Sequence, residues 1–140
     1  MANYGTDAGI RSIFGSDNVD AWADLDNDQD ATKMAARIAE AIDDAEADLH
    51  DRLRGGPYTI PISGGAASTT MARLANTLAG VLLYEARGVV DMDPETGQPI
   101  DRLAAHRKRV VVTVEQIRSG ERVLDAALDG DVSTGPSVVE

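Results

Sequence analysis

The sequence predicts an all-α protein: a small bundle of three main helices, preceded by short N-terminal helices and followed by a flexible C-terminal tail. One observation is the recurrence of apolar residues at three- and four-residue spacing from Met34 to Leu53, and again from Met71 to Leu82. That spacing places them on one face of a 3.6-residue helix. The other is the aromatic content: Tyr4, Phe14, Trp22, Tyr58 and Tyr84 are all there are, so a core must be built from Ala, Leu, Ile and Val, which suits closely packed helices. At 140 residues the chain can bury a modest core. Residues 1–124 are expected to form the helical domain and residues 125–140 the tail.

Residues 7–14 read as a short helix, with Asp7 as N-cap and Gly15 just past its end. Ser16 can cap a second short turn through Trp22, and Ile10, Ile13, Phe14, Val19 and Trp22 would form an apolar lid. From Asp30 a long helix buries Met34, Ile38, Ala41, Ile42, Ala45, Leu49 and Leu53. Its other face is expected to carry Glu40, Asp43, Asp44, Glu46, Asp48 and Asp51. Arg52 and Arg54 stand at its C-terminal end, where the helix dipole favours cations.

Gly55-Gly56-Pro57 ends that helix, and Tyr58-Thr59-Ile60-Pro61-Ile62 continues as an extended strip, since Pro57 and Pro61 forbid regular helix. After Ser63-Gly64-Gly65, Thr69 or Thr70 is expected to cap a second main helix that carries Met71, Leu74, Leu78, Val81, Leu82 and Glu85 up to Gly88. Its Ala72, Ala75, Ala79 and Gly80 permit close approach. Residues 89–100 are rich in turn formers, and Asp101 can cap a third main helix ending near Ser119, with Leu103, Val110, Val114 and Ile117 inward. The β-branched run Val110-Val111-Val112-Thr113 leaves a strand open as an alternative there. Beyond Gly120 apolar residues thin out, and the polar stretch from Asp129 to Glu140 reads as mobile until it meets a partner.

The net charge of −11 is unevenly placed: residues 1–51 hold 13 acids and 3 bases, and residues 52–140 hold 11 acids and 10 bases. A solvated acidic face is one reading; an acidic wall along which DNA slides without sticking is another. High-affinity nucleic-acid binding is disfavoured, because phosphate contact requires clustered Lys and Arg. Cysteine is absent, which excludes a disulfide framework and thiolate metal sites. No apolar run approaches the roughly 20 residues needed to span a bilayer, and the first residues lack the regions of a signal peptide. The expectation is a soluble chain without membrane contact, made in the cytoplasm.

Asp24, Asp26, Asp28 and Asp30 alternate like the opening of a calcium-binding loop, but Gln29 stands where the turn requires Gly and Ala35 where a bidentate Glu belongs. The competing reading is an acidic loop that caps the next helix. His50 and His106 lack the spacing of zinc ligands and read as helix-surface residues. Gly55-Gly56 and Gly64-Gly65 lack the Lys-Ser or Lys-Thr of a phosphate-binding loop, and Ser63, Ser68 and Ser119 lack a nucleophile-elbow context. No cofactor and no catalytic residues are expected, hence no enzyme. Arg102, Arg107, Lys108, Arg109, Arg118 and Arg122 form the basic cluster, either as a solvated face or as a surface that meets the acidic 30–51 helix of a neighbouring copy.

Taken in order, the pieces resemble the Mu-like prophage connector family, related to the head-to-tail adaptors of long-tailed phages. The resemblance rests on Ile13-Phe14-Gly15, the Asp24–Asp30 loop, Ala47-Asp48-Leu49 to Leu53, the Tyr58 and Pro61 strip, Leu74-Ala75-Asn76-Thr77-Leu78 with Leu82 and Tyr84, and Val114 to Gly120 ending in Leu124. It covers about residues 4–124. It implies a virion protein of the neck that forms a homo-oligomeric ring, commonly of about twelve copies, beneath the portal protein. Such a ring extends the DNA channel, meets DNA only in transit and offers a platform to a neck, tail-completion or tail terminator protein. Contacts are then expected from Pro57, Tyr58, Ile60 and Pro61 and from Arg102, Arg107, Lys108 and Arg109, with Glu40, Asp43, Asp44, Asp48 and Asp51 facing the channel or a neighbour. The alternative class is a small acidic helical regulator or DNA mimic, acting as monomer or dimer.

Overall fold

The computed structural model describes residues 4–62, 65–88, 91–100 and 102–122. Five helices follow one another: α1 (Asp7–Phe14), α2 (Ser16–Ala23), α3 (Ala31–Leu53), α4 (Gly65–Ala86) and α5 (Ala104–Ser119). Between α4 and α5 lies a two-stranded antiparallel ribbon, β1 (Asp91–Met92) and β2 (Pro99–Ile100), with Asp91 opposite Ile100 and Met92 opposite Pro99. The helical architecture read from the sequence is therefore present, with this small ribbon as its one non-helical element among the described residues. The tail expected at residues 125–140, together with Ser63, Gly64 and Asp101, lies outside the described residues.

Helices α3, α4 and α5 pack against one another pairwise, and α1 and α2 lie across α4. The core is the apolar stripe of each helix: Ile38, Ile42, Ala45 and Leu49 from α3, Met71, Leu74, Ala75 and Leu78 from α4, and Val110, Val114 and Ile117 from α5 are all buried. Full burial of each large aliphatic side chain contributes about 1.5–3 kcal/mol before conformational entropy is subtracted. The run Val110–Thr113 is helical, since Val110 and Val114 occupy the inward stripe of a 16-residue helix; Val111 and Val112 remain outside it and are each 44% exposed.

Caps explain where the helices begin. Asp30 accepts the amides of Thr32 and Lys33 at the start of α3, as expected. At α1 the cap is Thr6 rather than Asp7: its hydroxyl accepts the amide of Gly9 at 3.0 Å, while Asp7 is already in the first turn. α2 has Gly15 at its N-cap position, and Ser16 is its first residue. α4 begins at Gly65, so Thr69 and Thr70 lie within the helix and do not cap it. Leu103 holds the N-cap position of α5.

The lid is largely as expected, with Ile10, Phe14 and Val19 buried and Ile13 36% exposed. Phe14, Trp22, Tyr84 and His106 form a chain of ring contacts 4.9–5.4 Å apart that ties α1, α2, α4 and α5 together. Gly80 lets Phe14 in: a Cβ at that position would stand 2.1 Å from Phe14 Cε2. The Gly55 to Ile62 segment includes a cis Ile60–Pro61 bond and turns Tyr58 and Ile62 into the core.

Candidate partner-binding surface

The acidic side of α3 is an exposed strip. Glu40, Asp43 and Asp44 stand in water with no ion pair among the described residues, whereas Asp48 pairs with Arg52 at 3.0 Å and Asp51 with Arg54. Glu46 departs from the expected solvent face. It is 3% exposed, and its Oε2 accepts the amides of Tyr4 and Gly5 at 2.7 Å each. Two charge-assisted bonds offset the desolvation of that carboxylate. Beside it, Tyr4 hydroxyl accepts the Ile62 amide at 2.8 Å and lies 2.8 Å from His50 Nε2. Burial pushes the His50 imidazole below its ordinary value, so the neutral ring can accept the Tyr4 proton. Asn76 Oδ1 takes the Thr6 amide at 2.9 Å, and residues 4–6 are thereby strapped to α3 and α4.

The Asp24–Asp30 loop spends its carboxylates internally. Asp24 accepts the amides of Asp28 and Gln29, and Asp30 caps α3. Asp26 pairs with Arg37 at 3.0 Å and Lys33 at 3.4 Å, and Asp28 pairs with Lys33 at 2.8 Å. These cations draw the Asp26 and Asp28 carboxyls below the usual range; for Asp26 the Arg37 bond is the largest cause, for Asp28 the Lys33 bond. Asn27 and Gln29 both carry a positive φ of 54°, and Gln29 stands where a calcium loop would place its glycine. Among the described residues no group of three or more His, Asp or Glu is arranged to hold a metal. No helix among them is long and apolar enough to cross a membrane.

The basic cluster around α5 divides. Arg107 is engaged by Glu85 of α4, Arg102 lies 3.4 Å from Asp91, and Arg118 lies 3.8 Å from Glu115. Lys108 and Arg109 are exposed and make no ion pair among the described residues. Of the strip expected at an interface, Pro61 is exposed, Pro57 and Ile60 are half-buried, and Tyr58 is 4% exposed: Tyr58 belongs to the core and can only shape the strip from beneath. His106 is half-buried against Phe14, which removes it from the basic surface.

A cleft of about 260 Å³ lies between α4 and α5, with Arg73, Arg109 and Arg122 at its walls and Thr70, Thr77 and Thr113 among its hydroxyls. Arg73 escaped the sequence reading because it stands alone among small and apolar residues on α4; only the packing of α4 on α5 brings it to Arg109. Glu46 escaped because its partners are 41 and 42 residues earlier in the chain.

The described residues form a predominantly helical fold with a small core, an acidic face on α3 and exposed cations on α5. The chain belongs to the family described as Bacteriophage Mu, Gp36, whose model matches residues 4–139. It is thus a phage protein of Mu-like type, and the match runs past Leu124, where the resemblance read from the sequence stops. No curated protein and no solved structure matches the chain.

Proposed function

We propose that this chain is a non-catalytic structural subunit of the phage neck: a head-to-tail connector that forms a ring beneath the portal protein, extends the DNA channel and seats the next neck or tail protein. The observation that carries the reading is the separation of unsatisfied charge on one subunit. Glu40, Asp43 and Asp44 present carboxylates along α3, while Lys108 and Arg109 present cations on α5. A surface of one sign that matches a different surface of the opposite sign on an identical chain defines a heterologous, head-to-tail interface, and a repeated heterologous interface closes into a ring when its rotation allows.

Two further observations support it. Val111 and Val112, each 44% exposed, sit beside Lys108 and Arg109 and would be covered by a neighbour. The family match to a Mu phage protein supports a phage structural or assembly role, of which a neck part is one kind. With much of its surface acidic, the subunit would repel DNA phosphates in transit rather than trap them.

Native mass spectrometry of the full chain, alone and with the portal protein encoded in the same genome, tests this. The expected result is a closed ring, or a saturable complex with one copy per portal subunit. A persistent monomer or dimer that ignores the portal protein would move the chain to the regulatory class.

A further inference from the structure

We infer that the α4–α5 cleft is the socket that receives the α3 carboxylates of the next copy, so that Arg73, Arg109 and Arg122 face Glu40, Asp43 and Asp44 of the neighbour. The inference rests on the ring reading above and specifies its contact. Three arginines line one cleft without an ion pair among the described residues. Arginine stays charged at any working pH, and its planar fork of donors fits a carboxylate. Thr70, Thr77 and Thr113 add hydroxyls that rotate to donate. The chemistry of the cleft is therefore that of a carboxylate receptor.

The same chain supplies the matching strip. Glu40 and Asp44 lie about one turn apart on α3, about 6 Å along the axis, with Asp43 beside them, and all three are exposed and unpaired among the described residues. A ridge of side chains at i and i+4 is the shape that seats in a groove between two helices. No α3 residue lines the cleft, so socket and strip are separate surfaces of one subunit, as propagation from copy to copy requires. At about 260 Å³ the cleft admits a few side chains and is too small to follow a DNA backbone. The overall charge of −11 also disfavours a polyanion. Mutual repulsion between subunits acts at longer range and is screened beyond about 8 Å at physiological salt, whereas desolvated contact pairs are screened much less.

Mass photometry of the full chain over a concentration series, alone and with the portal protein, is run on four proteins: the wild type, Arg73→Glu with Arg109→Glu, Asp43→Lys with Asp44→Lys, and all four changes together. Each double reversal is expected to raise the midpoint of ring assembly about tenfold or more, and the quadruple variant to recover it. Should reversal disturb folding, seen by circular dichroism, Arg73→Gln with Arg109→Gln is expected to shift the midpoint in the same direction by less. Rings that form at an unchanged midpoint in both double variants would overturn the socket and leave the ring reading intact. Intact rings that no longer capture the portal protein would assign the cleft to the portal and also overturn it, as would binding of a labelled DNA duplex that the arginine changes abolish. A wild type that never forms a ring, alone or on the portal protein, overturns both readings.

Discussion

The buried carboxylate of Glu46 accepts the backbone amide of Gly5 at 2.7 Å, and with the Tyr4 amide on the same oxygen it fastens the start of the chain to the middle of α3. Nothing local requires a glutamate there; the requirement comes from two N–H groups that the helix brings under cover. Unpaired, each would be a buried donor without an acceptor.

Glu46→Ala is therefore expected to destabilise the protein by about 3 kcal/mol, given roughly 1.5–3 kcal/mol for each hydrogen bond to a charged group. Glu46→Gln retains an acceptor oxygen without the charge and should lose about half as much. Urea unfolding measures the difference. Hydrogen exchange at Tyr4 and Gly5 should accelerate in Glu46→Ala while the centre of α3 stays protected; equal acceleration everywhere would mean that the strap does not open by itself.

His50 gives the strap a pH dependence. Desolvation holds its imidazole below the ordinary value of 6.5, outweighing the favourable field of Glu46, while Arg54 lowers it further and Asp51 opposes. A folded value below the unfolded one means that the unfolded chain binds the proton first. The contribution is fully present above about pH 6.5 and is lost as pH falls through the folded value. The melting temperature of the wild type should thus fall between pH 7.5 and pH 5 more steeply than that of His50→Gln, which cannot take the proton. Parallel pH profiles for the two proteins would contradict the argument.

Gly80 and Phe14 make a second tight contact. In an exposed helix, replacing Gly by Ala gains about 1 kcal/mol of propensity. Here the added Cβ would lie 2.1 Å from the Phe14 ring and force it out of its place against Trp22 and His106. Gly80→Ala is expected to cost about 1–3 kcal/mol, the range for overpacking a filled core. Combined with Phe14→Leu, which makes room, the cost should be less than the sum of the two single changes, the sign of direct coupling. Additive losses in thermal unfolding would show that the two positions do not compete for the same space.

What the sequence made legible was whatever repeats locally. The stripe from Ile38 to Leu53, the Asp30 cap and the inward positions Val110, Val114 and Ile117 follow from helical period and cap chemistry, both visible within one turn. The β1–β2 ribbon was hidden in a turn-rich stretch, because two-residue strands have no period; it depends on Asp93, whose side chain accepts the Glu95 amide, and on Gly97 at φ +71°. Long-range pairings were hidden as well. Arg73 and Arg109, 36 positions apart, line one cleft, and Tyr58 looks like a surface aromatic beside two prolines until the chain folds it inward. The exposed carboxylates Glu40, Asp43 and Asp44 follow from the helical period of α3, whereas the residues that line the cleft do not follow from any local pattern.

The Asp24–Asp30 loop separates a cap from a set of surface ion pairs. Asp30→Ala removes the acceptor for the amides of Thr32 and Lys33, and an N-cap of this kind is worth about 1 kcal/mol. Asp26→Asn removes an exposed partner of Arg37 and Lys33, at the surface where salt and side-chain entropy erase most of the gain. The expected outcome is a clear loss of stability for Asp30→Ala, insensitive to salt, and a change near the limit of detection for Asp26→Asn that vanishes in concentrated salt. The depressed carboxyl of Asp26 makes the same point in pH. Its pairing is present above the ordinary carboxylate value of 3.8 and fails only as pH falls through the lower folded value. The two variants should therefore differ in stability at pH 7 and at pH 5 alike, and a salt-dependent loss for Asp30→Ala would show that its carboxylate works through long-range charge and not through the cap.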